Sequence, residues 1–149
     1  MANALYEKGR NRFLTGDITW TADTIEVSLV QTGASEFYTV DTVNDEWYSG
    51  VTGALANLPH DGGTSGSGFG TGIGSTTAPG TGVADGNDVT FSGAFGGTCH
   101  ILVIYKKGAT ALVSPLIAVI DTAAGLPVTL NSGDVTVTWD NGTDKIFKL

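Results

Sequence analysis

Basic side chains are absent from most of this sequence. No lysine or arginine lies between Phe13 and Tyr105, whereas ten aspartates and glutamates do. The whole chain has 7 basic and 15 acidic residues and a net charge of −8, so most of its surface repels phosphate. We therefore expect no nucleic-acid partner. The basic cluster of Lys8, Arg10 and Arg12 is first interpreted as a solvated helix face, and second as a contact for an acidic partner.

Cysteine and long apolar runs are equally scarce. Cys99 is the only cysteine, which excludes an intrachain disulfide and indicates a small buried side chain in a strand. No apolar stretch approaches the length of a membrane span, and no apolar core of an export signal begins the sequence. We therefore expect no membrane partner and synthesis in a cytoplasm.

Glycine is abundant and concentrated in one part of the chain. Every second residue from position 66 to position 74 is glycine. In an extended chain this alternation leaves one face without side chains, while Ser, Phe, Thr and Ile project from the other. Residues 59–88 hold ten glycines and two prolines and have no other period. They predict a long loop or arm inserted in the domain.

The usual chemical motifs fail on spacing. The glycine run contains no G-x-G-x-x-G pattern and no lysine, which excludes the common phosphate loops. The two histidines are His60 and His100, and Cys99 and His100 point to opposite faces if they lie in a strand. Residues 85–88 lack the ligand spacing of a calcium loop. The sequence therefore predicts no catalytic residue, no cofactor, no metal ligand and no enzymatic activity.

Residues 3–15 predict an N-terminal α-helix. Asn3 is a suitable N-cap, and Gly16 lies directly after the predicted end. An apolar stripe with a gap at its glycine runs along one side and consists of Leu5, Gly9 and Phe13. Trp20, just after the helix, is expected to pack the helix on a sheet.

Period-two alternation predicts strands in much of the remaining chain. Residues 24–31 predict a half-buried strand and residues 37–43 a second one. Residues 100–106 are apolar on both faces, which indicates a central strand covered on both sides. Residues 112–121 form another apolar run, in which Pro115 marks an edge, a bulge or a first residue.

The C-terminal part predicts a hairpin. Residues 134–139 alternate, and Asn141-Gly142 suits a type I′ turn before a return strand at Ile146 and Phe147. Seven or eight strands in total predict a single domain over residues 1–149. Its expected fold is all-β, an antiparallel sandwich or a barrel-like domain, with one N-terminal α-helix and a long glycine-rich loop.

Three aromatic residues admit two interpretations. Trp47, Tyr48 and Trp139 could line a sugar-binding face, but buried aromatic anchors are the commoner use of such residues. We therefore expect burial, and the sugar-binding face stays as an alternative.

Two parts of the sequence resemble a family of small structural proteins of tailed bacteriophages. The first is NALYEKGR at residues 3–10 with FLTGDITW at residues 13–20, followed by residues 25–30. The second comprises VTF at 89–91, LVIYK at 102–106, LIAVID at 116–121, GLPV at 125–128, DVTVTW at 134–139, NG at 141–142 and KIFKL at 145–149. Residues 46–58 match weakly, and residues 62–82 have no counterpart.

The resemblance implies a non-enzymatic virion protein, and specifically a capsid decoration or cement protein on the capsid exterior. Its expected partners are the major capsid protein and further copies of itself, with a trimer favoured over a dimer by analogy. The alternatives are a tail-associated adhesin or fibre-tip protein that binds a host-surface glycan, and a small hydrolase. We also predict that the glycine run is poorly ordered in the isolated subunit and ordered in the assembly. The candidate inter-subunit contacts are Leu5, Gly9, Phe13, Gly66, Gly68, Phe69, Gly70, Gly72, Ile73 and Gly74.

Overall fold

The described chain is an antiparallel, β-sandwich-like arrangement with an N-terminal α-helix, which confirms the predicted fold class. The computed structural model describes residues 3–32, 38–51, 70–80, 82–94 and 97–149. The helix α1 spans Glu7–Thr15, and Ala111–Val113 form a 3₁₀ turn. The strands are β1 (Ala4–Leu5), β2 (Ile25–Val30), β3 (Thr71–Gly72), β4 (Thr76–Gly80), β5 (Val83–Gly86), β6 (Val89–Ala94), β7 (Thr98–Cys99), β8 (Ile101–Lys106), β9 (Leu116–Ile120), β10 (Val128–Thr129), β11 (Gly133–Val137) and β12 (Phe147–Lys148). The described residues thus contain twelve strands, against the seven or eight expected, and five of the twelve consist of only two residues.

One large sheet organises the molecule, with strand order β1-β9-β8-β2-β3. The central strand β8 pairs with β2 over six residue pairs and with β9 on its other side. Residues 101–105 are all buried, so the prediction of a central strand covered on both faces is confirmed.

The strand β2 differs from its prediction, because all six of its residues are buried instead of one face. Ile25, Val27 and Leu29 enter an apolar core on one side of the sheet. Glu26 and Ser28 point to the opposite side, which residues 38–51 cover. The polar alternation of β2 therefore marks a buried polar layer and not a solvated face.

The two sides of the large sheet carry different side chains. On the first side, the short sheets β4-β5-β12, β6-β11 and β7-β10 enclose an apolar core that includes Phe91, Trp20 and Trp139. On the second side lies a layer that we call the tyrosine layer, because it contains all four tyrosines of the chain. These are Tyr6, Tyr38, Tyr48 and Tyr105.

The helix begins later than predicted. Ala4–Leu5 pair with β9 as strand β1, so α1 starts at Glu7. The Asn3 side chain does not cap it: Oδ1 accepts the N–H groups of Asp121 and Thr122, both at 2.9 Å. The helix ends as expected at Gly16, which is left-handed with φ 80°.

Two predicted elements are wrong for identifiable reasons. In the described part of the expected strand at 37–43, Asp41 Oδ1 accepts the N–H groups of Val43 and Asn44, and this side-chain turn replaces a strand. The C-terminal hairpin is also wrong, because β11 pairs with β6 whereas β12 pairs with β5. Trp139 is buried and donates its Nε1–H to Asn87 O at 2.8 Å, which directs the chain toward β5.

The predicted loop at 59–88 is wrong in its second half. Residues 71–86 contain β3, β4 and β5, and residues 59–69 lie outside the described residues. Pro79 lies in β4, which is an edge strand, the place in a sheet where proline is tolerated. Pro115 lies one residue before β9, which begins at Leu116, and forms an isolated antiparallel bridge with Trp47.

Candidate functional site

An open groove lies beside β1, at one edge of the large sheet, with a volume of about 710 Å³. The register pairs Leu5 with Ala118, and Tyr6 N–H donates to Ile117 O at 2.9 Å. Because hydrogen-bonded pairs alternate in an antiparallel ladder, the N–H and C=O of Leu5 point away from β9. We call this the edge groove; its lining is Asn3, Ala4, Leu5, Glu7, Arg10, Thr42, Ala118, Val119, Ile120, Asp144, Ile146, Phe147 and Lys148.

The edge groove combines apolar and charged side chains. Leu5, Ile120 and Phe147 are partly buried and pack against the apolar core. The charged residues of the lining are two acids and two bases, in contrast to the strongly acidic chain as a whole. Such a surface can pair with an extended segment through the Leu5 backbone and hold it with apolar and ionic contacts.

The predicted helix stripe faces the protein interior, because Leu5 and Phe13 are partly buried against the apolar core. Gly9 is buried, and a Cβ there would overlap the carbonyl oxygen of Leu116. Phe13 packs its ring 6.2 Å from that of Phe147, and Trp20 meets the same ring edge-on at 5.1 Å. Trp20 and the helix residue Phe13 thus pack against the same ring of β12, which agrees with the predicted role of Trp20. Leu5 is the residue of the stripe that lies at the edge of the large sheet, in the edge groove.

The basic cluster on α1 is partly engaged within the chain. Arg12 contacts Glu46 at 2.5 Å and Asp17 at 3.4 Å, and its guanidinium lies 4.4 Å from the ring centre of Trp47. Lys8 and Arg10 are exposed. The cluster is therefore a largely solvated face in which one member joins the helix to residues 46–47.

The aromatic residues do not form a common sugar-binding face. Tyr48 is fully buried in the tyrosine layer, whereas Trp139 is buried in the apolar core on the other side of the sheet. Trp47 is partly buried beneath Arg12. Burial is the interpretation that the structure supports for Tyr48 and Trp139.

The glycine run returns to the large sheet at Gly70. Its N–H donates to the hydroxyl of Tyr105, and a Cβ at this position would overlap the carbonyl oxygen of Val27. The bare face predicted for this run therefore meets a backbone at Gly70, and that backbone belongs to the same chain. Only glycine fits so close an approach.

The other candidates in the run also have places within the chain. Gly72 pairs with Glu26 on β2, and Ile73 is fully buried and donates its N–H to Ile25 O at 2.9 Å. Gly74 has φ 76°, which favours glycine. Gly66, Gly68 and Phe69 lie outside the described residues. The role of the ten candidates in inter-subunit contacts stays a prediction.

A buried polar cluster surrounds Gly70, and we call it the Glu26 network. Tyr105 donates its hydroxyl proton to Glu26 Oε2 at 2.6 Å, and Lys107 Nζ lies 2.8 Å from Glu26 Oε1. The Tyr48 ring stacks on that of Tyr105 with centroids 3.8 Å apart, and its hydroxyl lies 2.7 Å from Ser28 Oγ. Burial raises the pKa of Tyr48 and of Tyr105 well above the usual value, so both hydroxyls stay protonated.

A second polar cluster in the tyrosine layer connects the N-terminus to residues 38–45. The hydroxyls of Tyr6 and Tyr38 lie 2.7 Å apart, and Tyr38 donates to Asp45 Oδ2. Burial also raises the pKa of both hydroxyls above the usual range. Neither cluster was predicted from the sequence. The signal for the Glu26 network was a Glu and a Ser in a strand whose neighbour is apolar on both faces.

The remaining candidate ligands, His100 and Cys99, lie in different surroundings. His100 Nδ1 accepts the N–H of Thr32 at 3.4 Å, and Cys99 is buried in the apolar core, where burial raises its thiol pKa to about 12. Among the residues that the structure describes, no three His, Cys, Asp or Glu side chains come together as a metal site. The helices within the described ranges are all too short or too polar to span a bilayer.

No family model, curated protein or solved structure matches the chain.

Proposed function

We propose that this chain is a structural protein of a bacteriophage virion, a capsid decoration protein that binds the outside of the head and stabilises contacts between capsid subunits. Its partners in this proposal are the major capsid protein and further copies of itself, as a trimer. The observation that carries the proposal is the edge groove, where the backbone of Leu5 faces away from β9 and lies between apolar and charged side chains.

The arrangement of the framework also supports this proposal. The two parts that carry the phage-protein resemblance contribute α1 and every strand of the large sheet except β3. The part without a counterpart, residues 62–82, meets the tyrosine layer at Gly70 and joins the large sheet through β3. The fold therefore combines a framework that resembles the phage proteins with an additional segment, residues 62–82. This combination suits a cement protein, because such a protein acts by adding contact area between neighbouring capsid subunits.

The decisive experiment compares phage particles with and without the protein. We expect heads that lack it to lose heat and osmotic stability, and purified protein to restore both. Labelling on intact virions should give signal over the whole head. Unchanged stability would overturn the proposal, and signal confined to the tail would favour a tail adhesin.

A pair of variants tests the edge groove itself. Asp144→Arg reverses a charge in the groove and fills part of it, so we expect binding to protein-free heads to weaken by about tenfold, as for loss of one good interfacial contact. Asp140→Arg makes the same change at an exposed residue outside the groove and should bind normally. Equal binding by both variants would remove the edge groove from the interface.

A further inference from the structure

Glu26 is an unusual residue for the middle of a sheet. Its side chain is 5 % exposed and lies beside Tyr105 of the tyrosine layer. A buried carboxylate is costly unless it is paired, and apolar residues often replace buried ion pairs without loss of stability. The stability of the fold alone therefore does not explain why a glutamate occupies this position. We look for the explanation in the groups that Glu26 contacts.

We propose that Glu26 and Tyr105 are positioning residues that hold Gly70, where the glycine-rich segment rejoins the sheet, in the place required for binding the capsid. This inference rests on the proposed function. It adds to the edge groove a second part of the molecule on which capsid binding depends.

The geometry of three neighbouring strands supports this role. Glu26 pairs with Tyr105 on β8 and with Gly72 on β3, so these residues stand in one row across the sheet. The Tyr105 hydroxyl gives its proton to Glu26 and accepts the N–H of Gly70. Each hydrogen bond thus orients the next, which fixes the Tyr105 oxygen above Gly70.

Lys107 completes the arrangement from the surface. Its ammonium is 2.8 Å from Glu26 Oε1, and its side chain is 41 % exposed. The ion pair compensates the buried charge, and Glu26 stays an acceptor for Tyr105. Gly70 is therefore held by a chain of contacts that runs from the surface to the backbone.

The test removes one hydroxyl and measures two quantities. Tyr105→Phe keeps the ring that stacks on Tyr48 and deletes the acceptor of the Gly70 N–H. We expect amide hydrogen exchange at Gly70, followed by NMR on the full chain, to accelerate about tenfold, a typical factor for one lost hydrogen bond. The Ile73 amide, which is bonded to Ile25 O, should keep its exchange rate. Affinity for protein-free heads should fall by a similar factor.

Tyr6→Phe is the matched control. Tyr6 is as buried as Tyr105 and lies in the same layer, and its hydroxyl bonds to Tyr38 and not to Gly70. We expect this variant to keep the Gly70 exchange rate and the affinity for heads. A role in stability alone would make the two variants behave alike, and that result would overturn the inference.

The outcomes separate this inference from the proposed function. Unchanged exchange at Gly70 in Tyr105→Phe overturns the positioning role, and so does faster exchange with undiminished affinity. If the unaltered protein does not bind heads at all, the proposed function fails and the inference fails with it. Binding by the unaltered protein with equal loss in both variants leaves the function standing and overturns the inference.

Discussion

The two faces of the large sheet share the same strands but carry different kinds of side chain. One face packs Ile25, Val27 and Leu29 of β2 against phenylalanine and tryptophan in an apolar core. The other places Glu26 and Ser28 among four tyrosines whose hydroxyls are paired. On the first face, stability comes from the apolar surface area that is removed from water. On the second face, the buried polar groups form hydrogen bonds with particular partners.

The two faces therefore contribute differently to the stability of the fold and to the exact positions of its residues. Apolar contacts are non-directional and roughly proportional to buried area, so the apolar core tolerates exchange of one hydrophobic residue for another. Hydrogen bonds need defined distances, so the tyrosine layer specifies where Tyr38, Tyr48 and Gly70 lie. We therefore expect changes in the core to alter mainly the free energy of unfolding, and changes in the layer to alter local position.

The largest effect is expected in the apolar core. Phe91 is 1 % exposed, and Phe91→Ala should lower the free energy of unfolding by about 3–5 kcal/mol, through lost transfer energy and a cavity. Urea denaturation measures the change. Ser92→Ala, at the exposed neighbour on β6, should change it by less than about 0.5 kcal/mol. Similar losses in the two variants would show that the core is not the main source of stability.

Alkaline pH should act mainly through the tyrosine layer. Burial raises the pKa of all four tyrosines above the ordinary value of 10.0, so above pH 10 the unfolded chain loses protons that the folded chain keeps. The contribution of the tyrosines to stability is then fully present below pH 10 and is lost as the pH rises, by about 1 kcal/mol per tyrosine at pH 11. Urea denaturation from pH 8 to pH 11 measures the decline.

Two variants show how much of the alkaline loss of stability comes from each face of the large sheet. Tyr6→Phe removes one of the four titrating hydroxyls and should reduce the part of the decline that comes from the tyrosines by about a quarter, the share of one tyrosine among four. Cys99→Ala removes the core thiol, whose pKa is raised from 9.0 to about 12, and should affect the part that begins near pH 9. A pH profile that neither variant changes would contradict the assignment.

An intermediate effect is expected in the helix α1, which packs against β9. Gly9→Ala places a methyl group against the Leu116 carbonyl and forces α1 away from β9, at a cost of about 1–3 kcal/mol. Thermal unfolding of the variant measures it. Asn11→Ala, at an exposed position of the same helix, should be neutral or slightly stabilising. A stabilised Gly9→Ala protein would mean that helix propensity outweighs this contact.

The smallest effect is expected within the tyrosine layer. Ser28→Ala removes the hydroxyl that lies 2.7 Å from the Tyr48 hydroxyl and should cost about 1 kcal/mol, the net value of one hydrogen bond. Urea denaturation gives the value, with Ser92→Ala as the exposed serine for comparison. A loss as large as that of Phe91→Ala would erase the distinction between the two faces.

Local chemistry made several elements predictable. The apolar run at residues 100–106 has no polar side for water, so only a central strand suits it, and β8 occupies that place. Gly16 ends the helix because its left-handed backbone suits glycine. Packing of Trp20 and burial of Trp139 and Tyr48 followed from the area of their rings.

Other features depended on distant parts of the chain. The Asn141-Gly142 pair was a strong local turn signal, but the flanking strands pair with β6 and β5. Asn3 had the chemistry of a helix cap and instead bonds to residues 121–122, more than a hundred positions away. The edge groove was not predictable, since its walls come from α1, β9 and β12.

An all-β class, an N-terminal helix and a central strand could be predicted from the sequence, because the hydrophobic period and the turn residues act over a few positions. Which polar residues are buried, and which groups they contact, depends on the packing of distant parts of the chain. Glu26 has the same place in the alternation of β2 whether its side faces water or protein. Residues 38–51 cover that side, and so the carboxylate, Tyr105 and Gly70 meet.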